Sequence, residues 1–325
     1  MKNSRLAFIF LSVMGCAGFV SSHPLASRLD SAFGETGASE PQSPHRDEKA
    51  KHKDNDKDDS SWESWFEGWG DEFEDAFNGP KRTAPAFKWS GRVAPGKTFE
   101  LRGVNGRISA TPASGSEVEL VAIRTGRRSD PESVKIEVVP HANGVTVCAV
   151  YPSRDEDRPN VCKPGGGGRM NVSRNDVNVE FEVRIPDNVT FEGRTVNGGI
   201  RAEVRGNAAV STVNGSIVVA AGALTEASTV NGSIRATVTS DTRSSDDIKL
   251  STVNGSVRLN LPEGIDANVS AKTVNGGIST DFDEIEVRKK WGPRSAEGRL
   301  GNGGRDLALN TVNGSIAISK GGDRE

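Results

Sequence analysis

The sequence predicts an all-β protein built as a β-solenoid, with an acidic arm ahead of it. Three observations lead to this prediction. The tripeptide Val-Asn-Gly recurs seven times, and threonine precedes six of the copies. From the second copy onward, the asparagines are 17, 17, 23, 21 and 38 residues apart, and a period near 20 is typical of stacked repeats. Apolar and polar residues alternate around each copy, as in strands with one buried face.

Each copy is predicted to be a corner between two strands. Asn-Gly is the pair that most readily accepts a positive φ angle. Glycine is expected to turn the chain, valine and isoleucine to fill the interior, and Thr, Asn and Ser to satisfy exposed or corner hydrogen bonds. The predicted corner residues are Asn105, Gly106, Asn197, Gly198, Asn214, Gly215, Asn231, Gly232, Asn254, Gly255, Asn275, Gly276, Asn313 and Gly314.

The same pattern leaves one alternative fold open. Asn-Gly between alternating strands is also the strongest short signal for a β-hairpin. A meander of hairpins would expose one apolar face, and nothing in the sequence covers that face. Stacked coils of about 17–23 residues turn both strands inward onto a shared core, with asparagine above asparagine at each corner. The solenoid is therefore favoured.

Residues 1–22 are predicted to be a signal peptide. Lys2 and Arg5 precede an apolar run over residues 6–20, which is too short for a membrane span. Cleavage after Ser22 fits the preference for small residues. The run also contains Val13-Met14-Gly15-Cys16, which resembles a bacterial lipoprotein box, so attachment through Cys16 stays open beside simple cleavage. Both routes imply export to the periplasm, outer envelope or cell surface of a bacterium.

Residues 23–80 are predicted to form a disordered acidic arm. They hold 6 Lys/Arg and 15 Asp/Glu, a net charge of −9, and so charged a segment cannot bury a core. Aromatic residues within it recur at helical spacing, which predicts a short amphipathic helix. This helix either docks into the groove of a partner protein or packs on its own domain. Its aromatic residues are Trp62, Trp65, Phe66, Trp69, Phe73 and Phe77.

Residues 81–190 are predicted to be an N-terminal β region with a disulfide-closed loop. Cys148 and Cys162 flank a polar loop, and a disulfide is expected in an exported chain because further metal ligands are missing here. The glycine run 165–168 is predicted to be a flexible loop, since it lacks the Lys-Ser/Thr pair of phosphate-binding loops. No helix is expected after residue 80. Alternation predicts strands at 98–102, 107–111, 117–124, 134–139, 145–150 and 178–185.

Residues 191–325 are predicted to be the repetitive solenoid. A basic segment interrupts the repeat late in this region, at Arg288, Lys289, Lys290 and Trp291, with Arg294 nearby. A basic patch beside a tryptophan is a candidate site for acidic glycans or lipid headgroups. A solvated loop between coils is the alternative. The polar tail after residue 318 is expected to end the last coil, as an unpaired edge requires.

The chain resembles a known bacterial family. The resemblance runs through Trp89-Ser90-Gly91-Arg92-Val93-Ala94-Pro95-Gly96-Lys97, the Gly103-Val104-Asn105-Gly106 copy, the later Thr-Val-Asn-Gly copies and Gly301-Asn302-Gly303-Gly304. Over residues 86–318 these features are similar to the "putative adhesin" domains of unknown function. The resemblance implies an exported, repetitive β-fold on or near the cell envelope. It brings no catalytic residues, and it transfers a fold more securely than a function.

The residues favour a binding or scaffold protein over an enzyme. His141 is the only histidine in the region predicted to fold, which excludes histidine-based triads and multi-histidine metal sites. No cofactor is expected, and the net charge of −3 gives no nucleic-acid footprint. The one carboxylate cluster is a candidate for polysaccharide cleavage, with Asp281 and Asp283 expected on one side of a strand. Its members are Asp281, Asp283, Glu284 and Glu286.

The predicted function is therefore adhesin-like and non-catalytic. The expected partner is an envelope or surface component, either a protein or an anionic glycan, which would contact the long repetitive sheet faces at several places at once. Two alternatives stay open: self-association of the coils into a filament, and a polysaccharide-cleaving solenoid enzyme.

Overall fold

The computed structural model describes residues 80–155, 157–166, 168–239, 246–288 and 292–321. Twenty strands in these ranges form one hydrogen-bonded network. The described helices are two short 3-10 turns, Pro131–Ser133 and Pro164–Gly166, and neither could span a membrane. The predicted signal peptide, the acidic arm with its aromatic helix, and the basic residues 289–291 lie outside the described ranges.

The strands follow the alternation of the sequence closely. The strands predicted at 98–102 and 178–185 have those bounds, and the other four differ by one or two residues at an end. In chain order the strands are β1 (Arg82–Thr83), β2 (Phe87–Gly91), β3 (Thr98–Arg102), β4 (Ile108–Pro112), β5 (Val118–Gly126), β6 (Lys135–His141), β7 (Gly144–Val150), β8 (Asn178–Ile185), β9 (Thr190–Arg194), β10 (Ile200–Ser211), β11 (Ile217–Ser228), β12 (Ile234–Val238), β13 (Ile248–Asn254), β14 (Val257–Leu261), β15 (Ala267–Asn275), β16 (Ile278–Thr280), β17 (Ile285–Arg288), β18 (Arg294–Leu300), β19 (Arg305–Asn313) and β20 (Ile316–Lys320).

Successive repeats pair with each other in parallel. The strands that follow the corners form one ladder, β4–β10–β11–β12–β14–β20–β16. The strands that precede the corners form a second ladder, β3–β9–β10–β11–β13–β19–β15. The long strands β10 and β11 contribute to both ladders, with a break in register between their two halves. A meander of hairpins is therefore wrong for the repeats.

Both ladders bury their apolar side chains in one core. Ile200, Ile217 and Ile234 of the first ladder belong to the same buried cluster as Leu250 and Leu309 of the second. The alternating polar positions face outward. Burial on one side of each strand fixes the register, because a slip by one residue would turn every isoleucine and leucine to solvent.

The repeats do not pair in the order of the sequence; the strand, corner and following strand of one repeat are called a coil below, and the paired repeats the stack. Strand β19 pairs with β13 on one side and β15 on the other, and β20 likewise lies between β14 and β16. The coil of residues 305–320 is therefore inside the stack. The expectation that the polar tail ends the last coil is wrong, because both edges of this coil are already paired.

A hairpin produces this order. Strands β17 and β18 form an antiparallel pair, and β18 also pairs antiparallel with β15 on the edge opposite to β19. The turn Gly301–Gly304 then carries the chain past the start of β15, where Ala267 lies opposite both Leu300 and Arg305. Arg288, at the start of the basic interruption in the sequence, ends β17, and Arg294 begins β18.

The stacking order can be tested by disulfide trapping. Adjacent strands lie about 4.8 Å apart, within the Cα separation of about 4.4–6.8 Å that a disulfide spans. Asn254→Cys with Asn313→Cys should therefore oxidise to a bridge, as peptide mapping by mass spectrometry would show. The control pair, Asn254→Cys with Asn275→Cys, is two strands apart and should stay reduced. Bridging of the control pair alone would mean that the coils follow the sequence order.

Candidate binding surface

The corner asparagines form a hydrogen-bonded column on the outside of the stack. In each of six bonds, at 2.8–2.9 Å, the side-chain Nδ2 of one asparagine donates to the Oδ1 of its neighbour. The side chains from the second corner onward are exposed. Because all the amides point the same way, each bond polarises the next. The order along this asparagine column is Asn105, Asn197, Asn214, Asn231, Asn254, Asn313 and Asn275.

The threonine before each corner is buried and holds the adjacent corner. Its hydroxyl donates to the carbonyl oxygen of the neighbouring corner glycine in all six copies, at 2.8–3.2 Å. The threonines are only 1–5% exposed. They therefore satisfy a carbonyl that would otherwise be buried without a donor, a loss that costs about 1–3 kcal/mol. The sequence predicted only that these threonines would satisfy exposed or corner hydrogen bonds, and the structure identifies the acceptor as the glycine carbonyl of the neighbouring corner.

Glycine is required at the corners for close approach. Of the seven corner glycines only Gly106 has a positive φ, 123°, so the predicted reason for Asn-Gly is wrong at the other six. A Cβ atom at Gly232 would collide with the carbonyl oxygen of Gly215, and the same collision recurs between every later pair of stacked corners. The backbones of adjacent coils touch here, and no larger residue fits.

The valines of the corners after the first lie outside the core, whereas Val104 of the first corner packs against it. Val196 and Val274 are 39% and 46% exposed, and the other corner valines are half-buried. The expectation that the corner valines fill the interior is therefore wrong after the first corner, whereas the buried isoleucines that follow the corners do fill it. Successive side chains of a strand point to opposite sides. Because the threonine before each corner points inward, the valine that follows it points outward.

Arginines form a short row on the outer face of the first ladder. Arg235 of β12 lies directly opposite Arg258 of β14, and both are exposed. Neither makes an ion pair within the part of the chain that the structure describes. Arg201 occupies the same row two strands away from Arg235 and pairs with Glu203 at 2.6 Å. Two unneutralised guanidinium groups side by side favour a bound anion.

Only Arg288 and Arg294 of the predicted basic patch lie within the described residues. Arg288 lies at the end of β17, where its guanidinium pairs with Glu286 at 3.4 Å and with Glu297 at 3.6 Å. Lys289, Lys290 and Trp291 lie outside the described residues. Arg294 begins β18 on the other side of the tip. The charge of Arg288 is therefore compensated within the hairpin, unlike that of the arginine row.

The carboxylate cluster is not arranged as the sequence predicted. Strand β16 ends at Thr280, so Asp281 and Asp283 lie in a bend and a turn rather than on one side of a strand. Asp281 accepts a hydrogen bond from the backbone N of Lys320 at 3.4 Å, which ties this segment to β20. Among the described residues, no three His, Cys, Asp or Glu side chains are placed to bind a metal ion.

A disulfide and a buried carboxylate hold the loop beside β7. Cys148 and Cys162 are bridged, with Cα atoms 5.8 Å apart, as predicted. Glu100, which is 3% exposed, accepts hydrogen bonds from Arg102, from Thr146 at 2.9 Å and from the backbone N of Gly165 at 3.3 Å. The sequence does not predict this cluster, because Glu100, Thr146 and Gly165 are far apart in the chain.

A buried tyrosine closes the first end of the asparagine column. Tyr151 is 1% exposed, and its hydroxyl donates to the carbonyl of Val177 at 2.8 Å and receives the backbone N–H of Asn105 at 3.4 Å. Burial raises the pKa of Tyr151 to about 12, although its hydrogen bonds with Asn105 oppose the rise. The sequence does not predict the role of this residue either, since a single tyrosine forms no pattern.

Comparisons with known proteins do not assign the chain to a family. No protein-family model and no curated protein matches it. A "putative cell adhesion protein" from Clostridium sporogenes is similar in structure at 13% identity, covering 73% of this chain and 100% of that one, with a TM-score of 0.44. A "putative adhesin" from Bacteroides fragilis is 12% identical over 73% and 97% of the two chains, with a TM-score of 0.32. A "putative lipid binding protein" from Parabacteroides distasonis is 8% identical over 74% and 98%, with a TM-score of 0.20. The family resemblance stays a prediction.

The burial of Tyr151 can be tested by alkaline titration. It is the only tyrosine in the chain, so tyrosinate absorbance reports on it alone. Its folded pKa of about 12 lies above the ordinary 10.0, so the stability it contributes is complete below pH 10 and is lost as the pH rises towards 12. Absorbance should rise only well above pH 10, together with loss of the β-sheet circular dichroism signal. Ionisation near pH 10 in a still folded chain would contradict the burial.

Proposed function

We propose that this chain is a non-catalytic, exported β-solenoid that acts as an adhesin-like binding or scaffold module at a bacterial envelope. The observation that carries the proposal is the in-register repetition of exposed groups along parallel coils. The parallel pairing of repeats and the asparagine column support the solenoid. A rigid surface that repeats about every 4.8 Å suits a partner that is itself repetitive.

Export is supported by the disulfide. Structural disulfides persist in oxidising compartments and are rare in the cytosol, and the Cys148–Cys162 bridge closes a loop that also carries Tyr151. The predicted signal peptide over residues 1–22 agrees with this compartment. Either simple cleavage or lipidation at Cys16 would deliver the folded stack to the envelope.

The arginine row supports an anionic polymer as the partner. Arg235 and Arg258 project from adjacent strands, and each bears an exposed charge without an acidic partner among the described residues. An anionic glycan offers carboxylate or phosphate groups at intervals along one chain, so several weak contacts would add through effective concentration. We propose this partner over a protein because long, exposed cationic side chains pair readily with mobile anions.

End-to-end stacking of coils into a filament receives less support. Antiparallel strands, β6 and β17, lie at the two ends of the second ladder, and neither continues the parallel pattern of the repeats. A polysaccharide-cleaving activity also finds little support, because Asp281 accepts a hydrogen bond from β20 and Glu286 accepts one from Arg288.

Co-sedimentation with isolated bacterial envelopes tests the proposal. Binding should weaken as salt rises, because exposed charges are screened. The variant Arg235→Gln/Arg258→Gln should bind on the order of tenfold more weakly, since it removes unpaired charges from the proposed contact.

The control variant is Arg184→Gln/Arg205→Gln. It removes the same net charge, but from arginines that pair with Glu119 and Asp187, so its binding should change little. Equal loss in both variants would show that only net charge matters and would reject the arginine row. Absence of any envelope binding would contradict the proposed function itself.

A further inference from the structure

Among the described residues, one connection joins the coil of residues 305–320 to the rest of the stack. Within the described residues, only the turn Gly301–Gly304 links β19 and β20 to the preceding strands. Yet the coil is paired on both edges, with β13 and β14 on one side and β15 and β16 on the other. If this coil left, a gap one strand wide would open in both ladders.

The gap would be specific for one kind of segment. The coil contributes Thr311, whose hydroxyl donates to the Gly255 carbonyl at 2.8 Å, and it receives the Thr273 hydroxyl on Gly314 at 2.8 Å. Asn313 bridges the asparagine column in both directions. A segment that fills the gap must therefore carry Thr-Val-Asn-Gly in the same parallel register. A second copy of this chain supplies such a segment.

The turn Gly301–Gly304 is rich in glycine and is hydrogen-bonded to its own chain on both sides. Gly301, Gly303 and Gly304 have φ angles of 53°, 74° and 124°, which other residues rarely adopt. Asp266 accepts the backbone N–H of Asn302 at 2.7 Å, and Arg299 donates to the carbonyl of the same residue at 3.0 Å. In four residues the chain crosses from one edge of β15 to the other.

We propose that this coil exchanges between two copies of the chain. In the exchanged dimer, each copy inserts its own residues 305–320 between β13–β14 and β15–β16 of the other, and the turn opens into a linker. The contacts inside the stack are the same in monomer and dimer. The equilibrium between monomer and dimer is therefore set by the free energy of closing the turn and by the protein concentration, as in other exchanges of identical elements.

The exchange joins two stacks into one bivalent particle. Each stack keeps its own arginine row and asparagine column, because neither Arg235 nor Arg258 belongs to the exchanged coil. The exchanged strands β19 and β20, which pair on both edges, then hold the binding surfaces of the two copies together. This dimer forms without end-to-end stacking and leaves both antiparallel ends of the ladders unchanged.

A shortened turn provides the first test. Deletion of Asn302, Gly303 and Gly304 leaves one residue between β18 and β19, and two Cα steps reach at most about 7 Å, less than the distance of about 10 Å between the two strands that flank β15. The closed turn should be impossible, and the dimer fraction by light scattering should rise on the order of tenfold. Lengthening the turn by a Gly-Ser-Gly insertion is the control and should leave a monomer. A folded, monomeric deletion variant would overturn the proposal.

Cross-copy disulfides provide the second test, and they do not depend on the deletion. One copy carries Asn254→Cys and the other Asn313→Cys, and the two are refolded together at increasing concentration. Exchange places these residues side by side, so an intermolecular bridge should form in proportion to the dimer. A pair of Asn231→Cys and Asn313→Cys copies should not bridge. No bridge at any concentration, or bridging of both pairs, would overturn the proposal.

Discussion

The structure depends on contact between the backbones of neighbouring corners. At each corner after the first, a glycine Cα lies against the carbonyl of the glycine in the adjacent coil, with no room for a side chain. This contact brings the coils close enough for the threonine hydroxyl to reach the same carbonyl. It also aligns the asparagine amides into a continuous column. The bonds made by Thr and Asn of each repeat thus depend on the same close approach of two backbones that requires Gly.

Much of the fold could be predicted from the sequence because its signals are local. Alternation located the strands from 98 to 185 within two residues, and the spacing of Cys148 and Cys162 indicated their bridge. The outward position of Val196 and the inward position of Thr195 were harder to predict. Valine is more apolar than threonine, so composition alone places it inside, whereas the hydroxyl is needed inside to satisfy the glycine carbonyl.

The stacking order and the polar clusters could not be predicted, for a related physical reason. Every corner carries nearly the same residues, so Asn254 is as compatible with Asn275 as with Asn313. Only the β17–β18 hairpin, which occupies one edge of β15, decides between them. Glu100 and Tyr151 likewise depend on partners that are distant in the chain. The arginine row appears only once β12 and β14 are placed side by side, which links the proposed binding function directly to the stacking.

The central claim is that the corner glycines are required because backbones touch. Comparing Gly232→Ala with Gly115→Ala by chemical unfolding tests this most directly, since a Cβ at Gly115 would have no neighbouring atom within 4 Å. Gly232→Ala should lower the free energy of unfolding by about 3 kcal/mol or more, as overpacking against rigid backbone does. Gly115→Ala should change it by less than about 0.5 kcal/mol. Equal, small effects of the two substitutions would contradict the close contact and the role of the repeat derived from it.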